Sequence, residues 1–391
     1  MKKKLIILSL MALIFTLATY TLAYEENYDD NFQENFSEQE DIQQQESHDF
    51  DEDSIEEEKY FRAEVLTVRE LESEDDYFEF VQKSEVVITR GEHRGEIFTI
   101  ENPYREDHYY FNLYLEEGMD VILLGEEDNG QLNQVYLHDV SREKAILYLF
   151  LIFVVLLILI GGWHGVKTIV TLLFAGLVIL KVMIPLLLAG HQPVPIAILS
   201  AVIIIIPMLL IIGGINLKSF AAIIGTAVGV FVAGGLALIV GRMASLTGFS
   251  SEASQMLAVM ESDINLQGLL FAGIIIGSLG AVTDVSMSIA SAIAEIYDTN
   301  PRLDAKELIN SGLNVGRDIM GTMANTLLLA YVGSTIPILL LFSAARMPWT
   351  RIINMDLIVT EIVRGLTGSI GLIISIPVTA IIASLILVDN D

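Results

Sequence analysis

The sequence predicts an α-helical polytopic membrane bundle of about seven spans after an N-terminal signal segment, with a small all-β extracytoplasmic domain ahead of the bundle. Three observations carry that expectation. Of 391 residues, 53% are hydrophobic and the mean hydropathy is +0.56, too apolar for an ordinary soluble globule. Seven apolar stretches succeed one another between residues 145 and 388, each near the ~20 residues a membrane crossing needs. Residues 59–144 read differently, as short alternating apolar and polar runs separated by turn residues.

The chain opens with Lys2, Lys3 and Lys4, an apolar run over 5–17 and a small residue at Ala23. These are the three parts of a secretory signal, so 1–23 is expected to be a signal peptide or signal anchor that places residues 24–144 outside the cell. Residues 24–58 hold sixteen Asp or Glu and no Lys or Arg, a composition that cannot bury enough apolar surface to order itself. They are expected to form a disordered acidic tether. Asp49, Asp51 and Asp53 have calcium-loop spacing, but Ser54 stands where the loop needs glycine and Tyr60 where it needs glutamate.

The formal charge of −28 is concentrated before the membrane part: −16 in 24–58 and −12 in 59–144, against −3 in 145–391. Such a surface repels nucleic acid and anionic headgroups. With no cysteine in the chain, disulfides, thiolate metal sites and cysteine nucleophiles are excluded.

In the β region, strands are expected at 61–68, 77–81, 85–89, 96–100, 109–115, 120–124 and 134–137, with a hairpin turn at Asp128, Asn129 and Gly130. Strands this short and numerous predict a small barrel or sandwich. His93, His108 and His138 lack metal-ligand spacing, and no GxSxG nucleophile motif occurs.

The spans are expected at 145–162, 166–189, 194–213, 220–241, 268–293, 319–343 and 365–388, making 145–391 the transmembrane domain. Starting outside, seven crossings put the C-terminus in the cytoplasm. The positive-inside test is a tie, with Lys167, Lys218, Arg302, Lys306 and Arg317 on inner loops against Arg142, Lys144, Arg242, Arg346 and Arg351 on outer flanks. Orientation therefore rests on the signal segment. The mixed polar and apolar segment 250–265 reads as an interfacial helix.

Three spans carry a patterned face. Gly273, Gly277, Gly280, Asp284, Ser288, Ser291 and Glu295 recur at steps of three or four, which puts them on one side of a helix. Glu361, Arg364, Gly368, Gly371, Ser375 and Thr379 repeat the arrangement, and the span between them carries Asn325 and Thr326 two turns after Arg317 and Asp318. Ala221, Gly225, Gly229 and Ala233, four apart, read as close helix contact. The same packing role is expected of Gly273, Gly277, Gly280, Gly368 and Gly371. Asp284 differs because it sits in mid-span, where a carboxylate costs several kcal/mol unless it is hydrated, paired or protonated. It reads either as a proton or cation relay or as a neutral acid donating a hydrogen bond to Asn325 or a serine.

The blocks GAVTDVSMSIASAI (280–293), GRDIMGTMANTLLLAY (316–331) and EIVRGLTGSIGLIISIPVTAIIA (361–383), with HRGEIFTIEN (93–102) and GMDVILLG (118–125), resemble the YibE/F family of bacterial multispanning membrane proteins. The resemblance covers about 60–388 and implies a bacterial plasma-membrane location and a small extracytoplasmic domain joined to a multispanning one. It implies no substrate or activity. The order of a span with a mid-helix Asp, an amphipathic link with Leu303 and Leu308, an Asn-Thr span and a Gly-rich span is similar to proton-driven transporters of the SecD/SecF type, by analogy alone.

Together these features predict a permease-like protein for an ion or small solute. Its polar pathway would comprise Asp284, Ser288, Ser291, Glu295, Asn325, Thr326, Glu361 and Arg364. The expected partners are the lipid bilayer, that ion or solute, and a second copy or an envelope component. No cofactor, metal, nucleic acid or enzymatic reaction is expected, because no HExxH, GxSxG or paired-aspartate arrangement is present. The alternative is a membrane-anchored scaffold or receptor whose β domain binds a cell-envelope component or peptide.

Overall fold

The computed structural model describes residues 57–389 except 74, 76, 108–112, 129–130 and 262–263. The signal segment, nearly all of the acidic tether, His108, the Asn129-Gly130 turn and most of the expected strand at 109–115 lie outside the described residues. The chain divides into two compact units with the boundary between Leu159 and Ile160.

The first unit contains five strands: β1 (Glu57–Glu72), β2 (Phe80–Ile88), β3 (Ile97–Tyr104), β4 (Asp120–Asp128) and β5 (Gln131–Val140). All pairs are antiparallel in the order β3-β2-β1-β4-β5, and β3 approaches β5, so the sheet curls into a nearly closed barrel. β1 is long enough to pair on both sides: Ala63 stands opposite Ile88 on β2 and Val121 on β4, and an irregularity between Val65 and Thr67 bends the strand. Ala63, Val65, Val86, Ile88, Ile100, Val121 and Leu123 fill the interior.

The expected strands at 77–81 and 85–89 are replaced by the single strand β2, which takes in only 80–81 of the first, residues 77–79 being a turn ahead of it. The polar residues Gln82 and Ser84 that interrupt the apolar run point inward and are buried, while Lys83 and Glu85 between them are exposed. The described end of the expected 109–115 strand is loop rather than strand. It is held by side chains instead of a ladder: Gln82 Nε2 donates to the Leu115 carbonyl (3.1 Å) and its Oε1 accepts from the Leu115 N–H (2.8 Å), while Asn102 Nδ2 donates to the Leu113 carbonyl (2.7 Å).

Helix α1 (Glu143–Gly161) leaves this unit with its first turn tied to the barrel by Arg62–Glu143 (2.6 Å) and Lys144–Asp120 (2.6 Å) ion pairs. None of its residues is buried.

The second unit is helical: α2 (Trp163–Leu188, with a π-helical turn at Ile179–Met183), α3 (Pro193–Gly213), α4 (Leu217–Met243), α5 (Glu252–Met260), α6 (Leu266–Thr299), α7 (Ala305–Ala344), α8 (Trp349–Ile352) and α9 (Asp356–Val388). Together with α1, seven helices among the described residues are long and apolar enough to cross a membrane. The expected spans match these helices, but α6, α7 and α9 run several residues past their apolar windows. Polar side chains cap the starts of α6 and α7: Asn265 Oδ1 accepts from the Gly268 N–H (2.8 Å), and Asp304 with Glu307 forms a capping box. The mixed segment 250–265 contains the short helix α5, with Met256, Val259 and Met260 exposed.

Helices α4, α6 and α9 pack on one another to form the centre, α3 and α2 extend it from α6, and α7 lies against α6 and α9. The α4–α9 contact is made by small residues on both sides. A Cβ on Gly229 would stand 2.8 Å from the Gly371 carbonyl oxygen, and one on Gly225 would overlap Thr379. The small face of α9 is therefore turned toward α4.

Candidate functional site

At 34 residues, α6 is about 51 Å long at ~1.5 Å per residue, and Asp284 lies near its middle. Ile274, Ile275, Val282, Val285, Ile289 and Ile293 are buried along one side of this helix. Gly273, Gly277, Gly280, Asp284, Ser288 and Glu295 are exposed along the other, with Ser291 half-buried. Among the described residues, Asp284 has no hydrogen-bond or ion-pair partner. A Cβ added to Gly273 or Gly280 would meet no atom within 4 Å, so the close packing expected of these two glycines is not made within this chain.

Helix α7 presents a second open polar line. Arg317, Asp318, Gly321, Thr322, Asn325 and Thr326 are all exposed or half-exposed. Several of these groups bond only to their own helix, with Arg317 Nη1 donating to Asn314 Oδ1 (2.8 Å) and Thr326 Oγ1 to the Thr322 carbonyl (2.9 Å). The register of the antiparallel pair is set where Gly312 meets Ile293, Gly316 meets Ile289 and Gly277 meets Tyr331. It brings Asp284 level with Gly321 and Thr322, one turn from Asn325. Asn325 makes no bond to Asp284, so the polar lines of the two helices are open rather than joined in a closed hydrogen-bonded core.

On α9, only Glu361 and Arg364 of the expected polar face join this arrangement. Gly368, Gly371, Ser375 and Thr379 are buried. Arg364 Nη1 donates to Glu361 Oε1 at 2.6 Å, one helical turn apart, with side chains 27% and 17% exposed. The pair lines a cavity of about 330 Å³ together with Gly273 at the top of the α6 line and Ser251 and Ser254 from the segment before it. Gly248 begins that segment at φ +88°, where a Cβ would stand 2.5 Å from the Leu266 backbone, so both conformation and space require glycine.

Sequence reasoning missed Tyr331, whose ring lies 5.8 Å from the Arg364 guanidinium and whose hydroxyl faces Gly277. Ser251 and Ser254 were missed as well. The signal for Tyr331 was an aromatic with a polar tip within the apolar run of α7, opposite a glycine on each neighbouring helix.

The profile of the YibE/F-like protein family matches residues 149–389, well over half of the chain. The chain belongs to that family. No curated protein and no solved structure matches the chain.

Proposed function

We propose that this member of the YibE/F-like family is a permease-like protein that moves an ion or small solute along the open polar face of α6 and α7, with Asp284 as the intramembrane proton or cation relay. One observation carries the reading: the only acid in the middle of α6 stands exposed, on a helix whose apolar side is buried. An acid serving as internal glue would turn toward the bundle, as Ser375 and Thr379 do on α9. In a bilayer the exposed carboxyl must be hydrated, paired or protonated, and a hydrated line along a membrane-spanning helix is a conduction path. Ser288, Ser291 and Glu295 continue the line toward one end, and Glu361 and Arg364 stand at the other. Counting seven crossings from an extracytoplasmic start puts the Glu361–Arg364 end outside.

The test is proton, Na⁺ and K⁺ flux in proteoliposomes loaded with a pH- or cation-sensitive dye. Asp284→Asn should abolish flux while protein yield and melting temperature stay near the parent values, and Asp284→Glu should keep part of it. Flux unchanged in Asp284→Asn, or flux lost in step with folded protein, would overturn the relay.

A second reading has its own observation. On the barrel, Tyr60 is 63% and Tyr136 49% exposed, and Tyr60 packs edge-on to His138 at 4.9 Å between centroids. Exposed aromatic rings beside an acidic surface suit a cationic peptide or an envelope component. Under this reading, deleting residues 24–140 removes function while the bundle still inserts.

A further inference from the structure

The cavity at the Glu361–Arg364 end and the mid-span Asp284 belong to one line on α6, and one side chain from α7 reaches that line between them. Gly273 lines the cavity, Gly277 lies one turn deeper, and Gly280 and Asp284 come after it, Asp284 lying about 16 Å below Gly273 at ~1.5 Å per residue. At Gly277, which is itself exposed, the line narrows. The Tyr331 hydroxyl comes within 3.0 Å of the place where a Cβ on Gly277 would be, whereas Gly273 and Gly280 on either side meet nothing within 4 Å.

The ring is wedged by glycine on two helices. Its Cδ2 lies 3.6 Å from the Cβ position of Gly365 on α9, and its face lies 5.8 Å from the Arg364 guanidinium that Glu361 holds. A side chain at Gly277 would crowd the hydroxyl and push it back by a few tenths of an ångström, so the glycine gives the ring its closest approach to α6. Among the described residues nothing else pins the tip of the ring, since its hydroxyl bonds to none of them. Its outer neighbours on α7 are open, with Leu329 68% and Val332 50% exposed. A ring held by glycine clearances and one weak cation–π contact can change rotamer without unpacking the bundle.

We infer that Tyr331 is the gate between the Glu361–Arg364 vestibule and Asp284. The inference rests on the permease reading above and adds the residue that separates its outer compartment from its relay. Arg364 is a positioning residue here: it sits over the closed ring and is itself fixed by Glu361. The occupant of the vestibule is a small cation. Its lining charges cancel within the ion pair, and the charged group reached after the ring is a carboxylate.

The chain has no cysteine, so a single introduced cysteine reports unambiguously. Gly273→Cys, Gly280→Cys and Ser288→Cys would each be made in the parent, in Tyr331→Ala and in Tyr331→Phe. Each would be reconstituted in proteoliposomes and labelled from one side at a time with a membrane-impermeant methanethiosulfonate cation. From the vestibule side, the cysteine at 273 should label fast in every background. The cysteine at 280 should label slowly in the parent and about tenfold faster in Tyr331→Ala, the factor that a barrier change of about 1.4 kcal/mol produces. Tyr331→Phe keeps the ring and should stay slow, which separates an open gate from a loosened fold.

If 280 labels equally fast with and without the ring, Tyr331 is no gate while the hydrated pathway stands. If 280 and 288 stay unlabelled in all backgrounds and from both sides while 273 reacts, the line is dry. The permease reading then fails, and the gate fails with it.

Discussion

The carbonyl oxygen of Gly229 lies 2.5 Å from the position a Cβ on Gly371 would take, so α4 and α9 meet backbone against backbone. A methyl group at 371 cannot be absorbed by a flexible neighbour, because what it strikes is main chain. Gly371→Ala should therefore force the helices apart at a cost of about 1–3 kcal/mol, typical of overpacking. Gly280→Ala provides the contrast, since a Cβ there meets nothing within 4 Å and alanine favours helix over glycine by roughly 0.5–1 kcal/mol. Thermal melting in micelles should move down for the first and stay level or rise for the second. Equal shifts would mean that the two glycine faces are used alike.

That contrast also marks what the sequence made legible. The spans were readable because lipid demands long apolar runs, and each expected stretch coincides with an observed helix. The faces were readable too, since steps of three and four define one side of a helix. Which partner each face meets was not readable. The lines on α6 and α9 look alike as sequence, but the one on α9 lies against Ala233 and Gly229 of α4, and the one on α6 is open. Periodicity describes one helix, whereas partner choice depends on how two surfaces match. Tyr331 escaped notice for the same reason, because its importance comes from Gly277 and Gly365 on other helices. In the barrel, Gln82 and Ser84 read as a break because inward polar residues look like turn residues until their partners are known.

The Glu361–Arg364 pair is partly buried, and each partner leaves the other a charge beside apolar side chains if it is removed. Glu361→Gln or Arg364→Met alone should lower stability by about 1–3 kcal/mol, less than for a fully buried pair because both side chains are still touched by solvent. Exchanging the two residues restores opposite charges but removes the contact of the guanidinium with Tyr331. The exchanged variant should therefore melt between the single variants and the parent. Full recovery would show that the pair acts through charge alone.

At the base of the barrel, Arg142 donates to Asp139 Oδ2 at 2.6 Å and the Val140 N–H donates to Oδ1 at 2.7 Å. The hydrogen bond from Arg142, with a further one from the backbone, holds the Asp139 carboxyl below the usual aspartate range. A carboxyl depressed on folding contributes stability above its unfolded value near ~3.9, and that contribution disappears as pH falls through the folded value. The side chain is 43% exposed, so solvent screening keeps the effect small, under about 1 kcal/mol. An NMR titration of Asp139 should give a midpoint below that of an unstructured aspartate, and Arg142→Gln should return it upward. An unchanged midpoint in Arg142→Gln would leave the backbone bond as the cause.

Gln82 is fully buried on β2 and is the hinge of the barrel's side-chain network: it donates to the Leu115 carbonyl, accepts from the Leu115 N–H and accepts from Asn102 Nδ2 at 3.3 Å. Those bonds replace the strand ladder that the 113–115 segment lacks. Gln82→Leu keeps the volume but leaves the Leu115 N–H and carbonyl without partners inside an apolar barrel, and each such orphan costs about 1–3 kcal/mol. Gln82→Glu keeps the acceptor and loses the donor, so a charge is buried beside an unpaired carbonyl, and it should be worse still. Lys83→Leu, one residue along and on the outside, serves as the control and should change stability by less than about 0.5 kcal/mol. Hydrogen exchange of the Leu115 amide is the decisive measurement. It should quicken in both Gln82 variants before the rest of the sheet loosens, because the loop opens when the Leu115 tether is cut. If Leu115 stayed protected in Gln82→Leu, apolar packing of its own buried side chain, rather than Gln82, would be what holds the segment.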